Sequence, residues 1–358
     1  MPAFSKQELT EAFEAFAHQF DSALRSGDFT AWLNCLTEDV TYSERGAGIG
    51  WDRRAQGRDA VHHWLRDIHA RAPQQHVRYR PVAWTIVDVD RGWVVCEWRN
   101  RLADPGSGHV HEWRFYARLF YAGAGRWSFV EEIYNATGAR AAMSQWMADR
   151  RDMEAHGKAM PAFDTAWGSR IEAQEEETSE RWPHAEIEAA VKNFDEVCQR
   201  AFLSHDHEEW VQCFTDDVIY REMAMSMDDT FWPAMRGRDQ TRGWINAVFN
   251  NFPIDRMMLF PVSWFVIDAE RGWVVLEWRN QMADPGNGEL FEERSYTRLK
   301  YGGNGQFRFE EDVYDPSRMR EMIVRWMEAR RRFLERPQTE MLMSLATPQA
   351  SGLPPTHN

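Results

Sequence analysis

The chain has no basic surplus, no long apolar segment and no paired cysteines. Its 358 residues include 42 Lys and Arg against 56 Asp and Glu, a formal net charge of −14. Because nucleic-acid-binding surfaces are basic, this balance argues against a nucleic-acid partner. No apolar run reaches the roughly 20 residues that span a bilayer, and the N-terminus lacks the unbroken apolar core of a signal peptide. We therefore expect a cytoplasmic protein without a membrane partner.

The sequence also lacks the motifs of the common metal and cofactor sites. Its four cysteines, Cys35, Cys96, Cys198 and Cys213, stand singly and form no CxxC pair. This spacing argues against a zinc site and against a disulfide framework. The chain has no GxSxG, Walker A or GxGxxG sequence. We therefore expect a protein that works without a cofactor.

Aromatic residues are plentiful, and one segment occurs twice. The chain contains 18 Trp and 21 Phe, enough to line large cores or pockets with rings. Residues 91–100 read RGWVVCEWRN, and residues 271–280 read RGWVVLEWRN. Aligned without a gap, 84–121 and 264–301 share 22 identities in 38 positions. A period near 180 residues is far longer than that of a solenoid repeat, so the pattern indicates a duplicated domain.

The repeat extends on both sides of this segment and suggests the domain boundaries. Upstream, WLNCLTEDVTYSE (32–44) matches WVQCFTDDVIYRE (210–222) at an offset of 178. Downstream, FVEEIY (129–134) matches FEEDVY (309–314) at an offset of 180, so a two-residue insertion or deletion lies between. We expect a first domain at 1–154, a linker at 155–184, a second domain at 185–335 and a flexible C-terminal tail at 336–358.

The predicted elements follow the same order in both copies. In the first copy, helical spacing of apolar residues predicts a helix over 6–25, followed by a short helix at 29–36. A strand (DVTYSE) and a helix over 58–71 come next, and a helix near 138–151 closes the copy. The strands between them are expected at about 76–88, 92–102, 110–121 and 126–134. Helices followed by a strand meander predict an α+β domain, with helices covering one face of a curved antiparallel sheet.

This order resembles that of the NTF2-like superfamily, in particular its SnoaL-like branch. The resemblance is carried by the leading helix, the TEDVTYSE strand, the GRDAVHHWL helix and the FVEEIYN strand, and it covers nearly all of each copy. It implies two tandem cone-shaped α+β barrel domains, each with a deep apolar pocket at its wide end. It also implies dimerisation through the outer sheet face and cofactor-free acid–base reactions on hydrophobic substrates, although non-enzymatic members exist.

Strand alternation separates a pocket face from an outer face. Cys96, Trp98 and Asn100 share the more apolar face of one strand and should point toward the helices. The opposite face carries glutamates, arginines and a tyrosine in both copies. In the first copy this outer set is Glu97, Arg99, Glu112, Arg114, Tyr116 and Arg118. Such faces are self-complementary in charge, so we predict that the sheets pack as an internal pseudo-dimer. A solvated ladder of ion pairs within each sheet is the alternative.

Two glutamates of the last strand are the first candidates for catalysis. Glu131 lies between Phe129 and Ile133 on one side of the strand, and Glu311 is its counterpart in the second copy. We expect both glutamates to face the pockets, where desolvation raises a carboxyl pKa toward that of a general base. The alternatives are a buried ion pair with an arginine, or a strand register that points these glutamates elsewhere.

Tyrosine and tryptophan residues complete the expected pocket. Tyr42 and Tyr220 occupy matching positions on the first strand of each copy. Their hydroxyl groups could donate to a developing oxyanion, or could simply be satisfied groups of the core. The residues expected to bind the substrate in the first copy are Glu44, Trp51, Trp64, Trp98, Asn100 and Trp113.

Histidines distinguish the two copies. The first copy has His62, His63, His69, His76 and His111 where the second has Arg242, Gly243, Phe249, Arg256 and Phe291. Because histidine titrates near neutrality, this loss suggests that the copies differ in chemistry. We therefore add His62, His63 and His111 to the catalytic candidates, with a surface or core histidine as the alternative for each. These five histidines form no HxH or HExxH pattern, so we expect no metal site.

Together these features favour a cofactor-independent acid–base enzyme. Lyase chemistry (elimination, dehydration or retro-aldol cleavage) ranks first because it needs little beyond an acid–base pair. A double-bond isomerase or epoxide hydrolase of the same superfamily ranks next. Ring content and the family resemblance suggest an aromatic or polycyclic hydroxylated substrate. A non-catalytic module that binds a hydrophobic ligand or another protein remains open, and so does a further homo-oligomer.

Overall fold

The two copies fold into two domains of the same construction. A computed structural model describes residues 3–45, 53–162, 164, 168, 181–222 and 234–334. Within these residues each domain has a seven-stranded sheet and helices that cover one of its faces. The predicted tail and most of the predicted linker lie outside the described residues. None of the described helices combines the length and the apolarity that a bilayer-spanning segment requires.

The first domain begins with helices and ends with a sheet and a closing helix. Its elements are α1 (Lys6–Ser26), α2 (Thr30–Leu33), β1 (Leu36–Arg45), β2 (Arg53–Gln56), α3 (Arg58–His69), β3 (Val77–Tyr79), β4 (Val82–Asp88), β5 (Trp93–Leu102), β6 (Glu112–Gly123), β7 (Arg126–Tyr134) and α4 (Ala136–Ala155). The Ser5 side chain caps α1 by accepting from the Glu8 amide. The helix ends at Gly27, whose φ of 76° suits glycine. Phe13 and Phe16 of α1 pack against Trp98 on the sheet.

The second domain repeats this series. Its elements are α5 (His184–Ser204), α6 (Glu208–Val211), β8 (Phe214–Glu222), β9 (Met235–Arg236), α7 (Arg238–Phe249), β10 (Met257–Leu259), β11 (Val262–Asp268), β12 (Trp273–Met282), β13 (Glu292–Gly303), β14 (Gln306–Val313) and α8 (Pro316–Leu334). Helix α5 begins and ends 178 positions after α1, and β12 and β13 lie 180 positions after β5 and β6. The offsets in the sequence are therefore also offsets in the structure, as expected for a tandem duplication.

The sheet in each domain is a curved meander closed by one parallel pair. In the first domain the strand order is β2-β1-β7-β6-β5-β3, with β4 also paired to β5. The prediction of an antiparallel sheet holds except at β1 and β7, which run parallel because the helical segments separate them. The predicted strand 76–88 is divided into β3 and β4 at Pro81, which has no backbone N–H to donate to the sheet. The short strand β2 was not predicted.

The outer faces of the two sheets pack against each other, which confirms the predicted pseudo-dimer. An apolar cluster joins Ile86, Val95, Tyr116 and Ile133 of the first domain to Trp264, Val266, Val275, Tyr296 and Val313 of the second. Two reciprocal hydrogen bonds flank this cluster. The Tyr116 hydroxyl donates to Glu311 at 2.5 Å, and the Tyr296 hydroxyl donates to Glu131 at 2.5 Å. Since these two pairs differ by the repeat offset, they mark a pseudo-two-fold relation between the sheets.

Charged groups supplement this contact, but not symmetrically. Arg114 donates to Glu97 of its own sheet at 2.7 Å and to Glu311 of the other sheet at 3.0 Å. Its counterpart Arg294 pairs with Glu277 of its own sheet. Arg99 pairs with Glu97 within the first sheet. Ion pairs across the sheets and ladders within each sheet therefore coexist, so the two arrangements are not alternatives.

The side of β7 that faces the helices is opposite to the predicted one. The pairing of β6 with β7 shifts between Phe120 and Tyr121, so Trp127 and Val130 both lie on the inner face. Beyond this bulge Glu131 points to the outer face. The expectation that Glu131 and Glu311 face the pockets is therefore wrong. Both glutamates belong to the contact between the sheets.

Arginines and tyrosines of that contact keep the two glutamates charged. Burial alone would disfavour the charge, but Arg45 and Arg118 lower the pKa of Glu131 below its usual value. For Glu311 burial is likewise outweighed, and Arg114 and Arg298 lower its pKa to about 2. A carboxylate held ionised by two arginines is a poor proton acceptor near neutral pH. Both glutamates are thus structural ion-pair partners.

Candidate functional site

Each domain has a cavity between the inner face of its sheet and its helices, and the two cavities differ in size. The cavity of the second domain has a volume of about 410 Å³. The corresponding cavity of the first domain has a volume of about 110 Å³. Only the larger one is of the size that small-molecule ligands usually occupy, about 300–1,000 Å³. We refer to them as the second pocket and the first pocket.

Aromatic rings form the walls of the second pocket. The rings that line it include Phe202, Trp210, Trp244, Phe249, Phe260 and Trp278. They belong to α5, α6, α7 and β12 and to the segment that precedes β11. Phe202 and Phe260 pack with their ring centroids 4.0 Å apart. Rings anchored on several elements give rigid apolar walls that suit a hydrophobic ligand.

Three carboxyl groups lie on the sheet side of this apolar space. Glu222 extends from β8, and Glu310 and Asp312 extend from β14. The two strands are neighbours, with Glu310 opposite Tyr220 and Asp312 opposite Glu222. The Tyr220 hydroxyl donates to Asp312 at 2.8 Å, and the Thr297 hydroxyl donates to its other oxygen. The register of two adjacent strands therefore brings all three acids together.

Burial of these acids raises their affinity for protons. Loss of water raises the pKa of Asp312 to about 6, although the hydrogen bonds from Thr297 and Tyr220 oppose the shift. The pKa of Glu310 is raised well above its usual value by burial and by the charges of Asp312 and Glu222. Burial and Asp312 also raise the pKa of Glu222 well above its usual value. The pocket thus contains three carboxyl groups whose pKa values are all raised by burial.

The acids of the second pocket have no cationic partner in its lining. Among the described residues that line it, none is Lys, Arg or His. One oxygen each of Glu222 and Glu310 has no hydrogen-bond partner within the described part of the chain. A buried carboxyl oxygen without a hydrogen-bond partner lowers the stability of a folded protein.

The first pocket contains an arginine instead. The Arg80 guanidinium lies over the rings of Phe20, Trp98 and Phe115, with distances of 4.3, 4.5 and 4.4 Å to the ring centroids. It donates to Glu132, the counterpart of Asp312. The Tyr42 hydroxyl donates to the same Glu132 oxygen. The acid of this domain is therefore paired, and the arginine fills the space that a ligand would need.

Four substitutions between the copies account for the difference. Arg80 is replaced by Phe260, which removes the cation. Phe20 is replaced by Cys198 and Phe115 by Ser295, and both changes exchange a ring for a small side chain. Val130 is replaced by Glu310, which adds a second acid to the pocket-facing side of β14. The second pocket therefore has a larger volume and one more carboxyl group than the first.

Comparison with known proteins agrees with this fold. The model of the SnoaL-like domain family matches residues 16–162. The first domain is a SnoaL-like domain. The second domain repeats its sequence and sheet order, so the chain carries this fold twice. No protein with a curated description matches the chain.

Solved structures similar to parts of the chain include proteins described as NTF2-like, as an isomerase and as a SnoaL-like polyketide cyclase. An NTF2-like protein of unknown function from Burkholderia pseudomallei is 16% identical over 38% of this chain and 97% of that chain, with a TM-score of 0.31. A provisionally named isomerase from Bacillus subtilis is 14% identical over 38% and 94%, with a TM-score of 0.32. A provisionally named SnoaL-like polyketide cyclase from a Jannaschia species is 17% identical over 41% and 97%, with a TM-score of 0.31.

Most of the residues expected to bind substrate lie in the SnoaL-like fold where the sequence suggests. Glu44, Trp64, Asn100 and Trp113 line the first pocket together with Tyr42, and Tyr220 lines the second. Trp98 lies beneath Arg80 as part of the core. Trp51 lies outside the described residues. The pocket that these residues line is, however, the smaller one.

The three histidines proposed for catalysis do not line the first pocket of the SnoaL-like domain. His63 is exposed on α3, and its Nδ1 lies 2.7 Å from the Asp59 carbonyl oxygen. His62 is half-buried on the same helix. His111 is buried, with Nε2 at 3.0 Å from an Asp149 carboxylate oxygen. Of the five histidines that differ between the copies, His69 lines the first pocket, and its counterpart Phe249 lines the second. The three histidines proposed for catalysis line neither pocket.

The residues that decide the chemistry of the pockets were missed by the strand alternation. Placing Glu131 and Glu311 inward left Glu132, Glu310 and Asp312 on the outer face, because alternation does not anticipate the bulge described above. Arg80 follows β3 and was not singled out. One signal in the sequence could have found them, because Arg80 and Val130 become Phe260 and Glu310 in the second copy. These two replacements change the charge at predicted strand positions, so they are as informative about the pockets as the histidine differences.

Proposed function

We propose that the second pocket is a cofactor-independent acid–base catalytic site that acts on a hydrophobic hydroxylated substrate, with lyase chemistry first. The observation that carries this proposal is the contrast between the pockets. Glu132 of the first pocket is paired with Arg80, whereas Asp312 and Glu310 share a ligand-sized apolar space without a cation in its lining. Carboxyl groups in such surroundings can exchange protons with a bound molecule near neutral pH.

The two carboxyl groups of β14 suit opposite roles. With a pKa of about 6, Asp312 is mostly ionised at neutral pH and can act as a base. Burial raises the pKa of Glu310 well above its usual value, so this carboxyl group suits the role of the acid. The Tyr220 hydroxyl positions the Asp312 carboxylate through its hydrogen bond of 2.8 Å. An acid and a base two positions apart on one strand face lie within reach of one small molecule.

Dehydration of a β-hydroxy ketone illustrates the step. The Asp312 carboxylate removes the proton from the carbon next to the carbonyl group. The β-hydroxyl group leaves with the Glu310 proton as water, and the electron pair of the broken C–H bond forms the double bond. The proton on Asp312 then passes to Glu310, which restores both groups. A retro-aldol cleavage uses the same pair differently, because the base removes the hydroxyl proton and the acid protonates the carbon that departs.

The walls of the pocket support an aromatic or polycyclic substrate. Trp244, Phe249 and Phe260 line the pocket with aromatic rings. The Trp244 indole N–H has no partner within the described residues and can donate to a carbonyl or hydroxyl oxygen. The Ser295 hydroxyl also lines the pocket and accepts from Asn280 at 3.1 Å. These groups favour a ligand that is mostly apolar and carries few oxygen atoms.

The proposal can be tested with the acetone aldol adduct of naphthaldehyde, a hydrophobic β-hydroxy ketone. Dehydration yields an enone and retro-aldol cleavage yields naphthaldehyde, so chromatography distinguishes the reactions. We expect wild-type protein to form one of these products. Asp312→Asn should lower the rate by about 10²–10⁴-fold, the usual contribution of a general acid or base. Tyr42→Phe, a matched control in the first pocket, should leave the rate within about twofold, because Glu132 keeps Arg80 as its partner.

Two results would count against the proposal. Equal losses in Asp312→Asn and Tyr42→Phe would mean that the second pocket has no special role. A panel of β-hydroxy ketones that stabilises the protein thermally, yet neither reacts nor exchanges α-protons with heavy water, would indicate a module that only binds hydrophobic ligands. Circular dichroism of each variant checks that a lost rate is not a lost fold.

A further inference from the structure

A second polar cluster lies in the first domain, outside the lining of both pockets. His109 Nδ1 and His111 Nε2 each lie 3.0 Å from the same oxygen of Asp149, Oδ2. The Ser107 hydroxyl donates to this oxygen at 2.9 Å. The three metal-ligating atoms all lie within 4.8 Å of one another. Imidazole nitrogens and a carboxylate oxygen at this spacing are the ligands that zinc selects in proteins.

The positions of these residues keep the ligand atoms together. His109 and His111 belong to the segment that leads into β6, and Asp149 lies on α4. Other contacts hold this segment against the helix. The Trp146 indole donates to the Ala103 carbonyl at 2.6 Å, and Arg150 donates to the Pro105 carbonyl at 2.8 Å. These two helix side chains hold the loop against the helix without help from the histidines. The ligand atoms lie close together as a consequence.

The second domain shows that the fold does not require this cluster. Its loop has the same turn, since Asp284 accepts from the amides of Gly286 and Gly288 as Asp104 does from Gly106 and Gly108. The side chains at the cluster positions nevertheless differ. Ser107, His109, His111 and Asp149 correspond to Asn287, Glu289, Phe291 and Ala329. The first copy therefore has two imidazoles on this loop and a carboxylate on the facing helix, whereas the second copy forms the same turn without them.

We propose that His109, His111 and Asp149 bind a divalent transition-metal ion, with Zn²⁺ as the expected one. His111 is buried, with a side chain 8% exposed, whereas His109 is 74% exposed and can turn toward an incoming ion. The Ser107 hydroxyl would hold the carboxylate in place from outside the ligand set. Three protein ligands leave one tetrahedral position for water. The ion would fasten the loop before β6 to α4, and this role does not depend on the function proposed for the second pocket.

The test is a calorimetric titration of the tag-free full-length protein with zinc chloride. We expect the wild type to bind one equivalent and to melt at a higher temperature with zinc than without it. His109→Ala should weaken binding at least about 10-fold, as loss of a direct ligand costs no less than loss of a supporting contact. His63→Ala removes another exposed histidine of the same domain and should bind zinc as the wild type does.

Cobalt provides a second readout of the same site. Co²⁺ in a tetrahedral site absorbs visible light strongly, and this absorption should appear in the wild type and disappear in His109→Ala. Because His109 is exposed, its replacement leaves the fold intact, and Asp149→Asn serves as an independent ligand variant. Zinc binding that is equal in the wild type and His109→Ala, or that is absent from the wild type, would overturn the proposal.

Discussion

The two pockets lie at the same place in the same fold, but only the first has an arginine in its lining. In the first, Arg80 neutralises Glu132 and occupies the space between the rings. In the second, Phe260 takes the place of the arginine, and Asp312 and Glu310 are left without a cation in the pocket lining. A carboxylate paired with an arginine stays ionised, whereas a buried carboxyl group without a cationic partner can take up a proton and exchange it with a ligand. In the first domain the space of the pocket is therefore filled by a buried ion pair, and in the second it is an apolar cavity with carboxyl groups.

The comparison also separates stability from reactivity. A buried ion pair loses much of its hydration, but each member satisfies the other. Unpaired carboxyl groups give up hydration without that return, and they become neutral at higher pH than usual instead. The buried charge of Glu132 is therefore compensated by Arg80 within the first pocket. In the second pocket burial instead raises the pKa values of Glu310 and Asp312.

The largest effect is expected when the second pocket is given the arginine of the first. Phe260→Arg should place a guanidinium beside Asp312 and Glu310 and fill the cavity, so binding of β-naphthol, a neutral fluorescent probe, should fall at least about 100-fold. The variant should not lose thermal stability, because the new cation pairs with existing acids. Leu290→Arg adds the same charge at a position that is 63% exposed and should leave binding unchanged. Unchanged binding in Phe260→Arg would break the comparison.

The reverse experiment removes the pairing in the first pocket. Glu132→Gln leaves the Arg80 guanidinium buried without its counter-ion, so the free energy of unfolding should fall by about 3–5 kcal/mol. Chemical denaturation measures this loss. Adding Arg80→Phe to the variant should recover most of the lost stability, since the uncompensated charge is then absent. A single variant as stable as the wild type would mean that the pair does not hold the first pocket.

Asp312→Asn should change stability in the opposite direction, and only above acidic pH. The pKa of Asp312 is about 6 in the folded protein against a usual 3.8. The folded state therefore binds the proton more tightly, and the stability this contributes is lost as the pH rises through 6. Asparagine does not titrate, so the variant should gain on the order of 2–3 kcal/mol relative to the wild type between pH 4 and 7. Denaturation curves at several pH values test this, and a pH-independent difference would contradict it.

The smallest effects should come from the contact that both domains share. Tyr116→Phe and Tyr296→Phe each remove one hydroxyl group that donates to a buried glutamate of the other sheet. Each glutamate keeps its arginines, so each change should lower the free energy of unfolding by about 1 kcal/mol. Denaturation of both variants should give losses that agree within about 0.5 kcal/mol. A much larger loss for one of them would show that the pseudo-two-fold contact is unequal.

Much of the fold could be predicted from the sequence because the chain repeats itself. The inner and outer faces of β5 and β6 follow from alternation, as Cys96 and Trp98 lie in the core and Arg114 reaches the other sheet. The charge pattern of the outer faces correctly indicated that they pack together. Alternation works on these strands because their outer faces carry charges and their inner faces do not.

The same reasoning failed on β7 for a physical reason. Phe129 and Ile133 are apolar because they face the other sheet, so both sides of this strand are buried and an apolar residue marks neither. A glutamate also stands on each side, at Glu131 and Glu132. Each face of β7 therefore carries apolar residues and one glutamate, so the composition of the faces does not distinguish them. Only the bulge near Phe120 determines which glutamate faces the pocket.

The sequence by itself determined the duplication, the order of helices and strands, and the pairing of the two sheets through complementary charges. Only the tertiary structure decided which pocket is open and which acids it contains. The reason is that Arg80 and Glu132 are 52 positions apart, and their contact depends on the curvature and register of several strands. Local patterns specify the faces of an element, whereas charges from distant elements meet only when the domain closes around them.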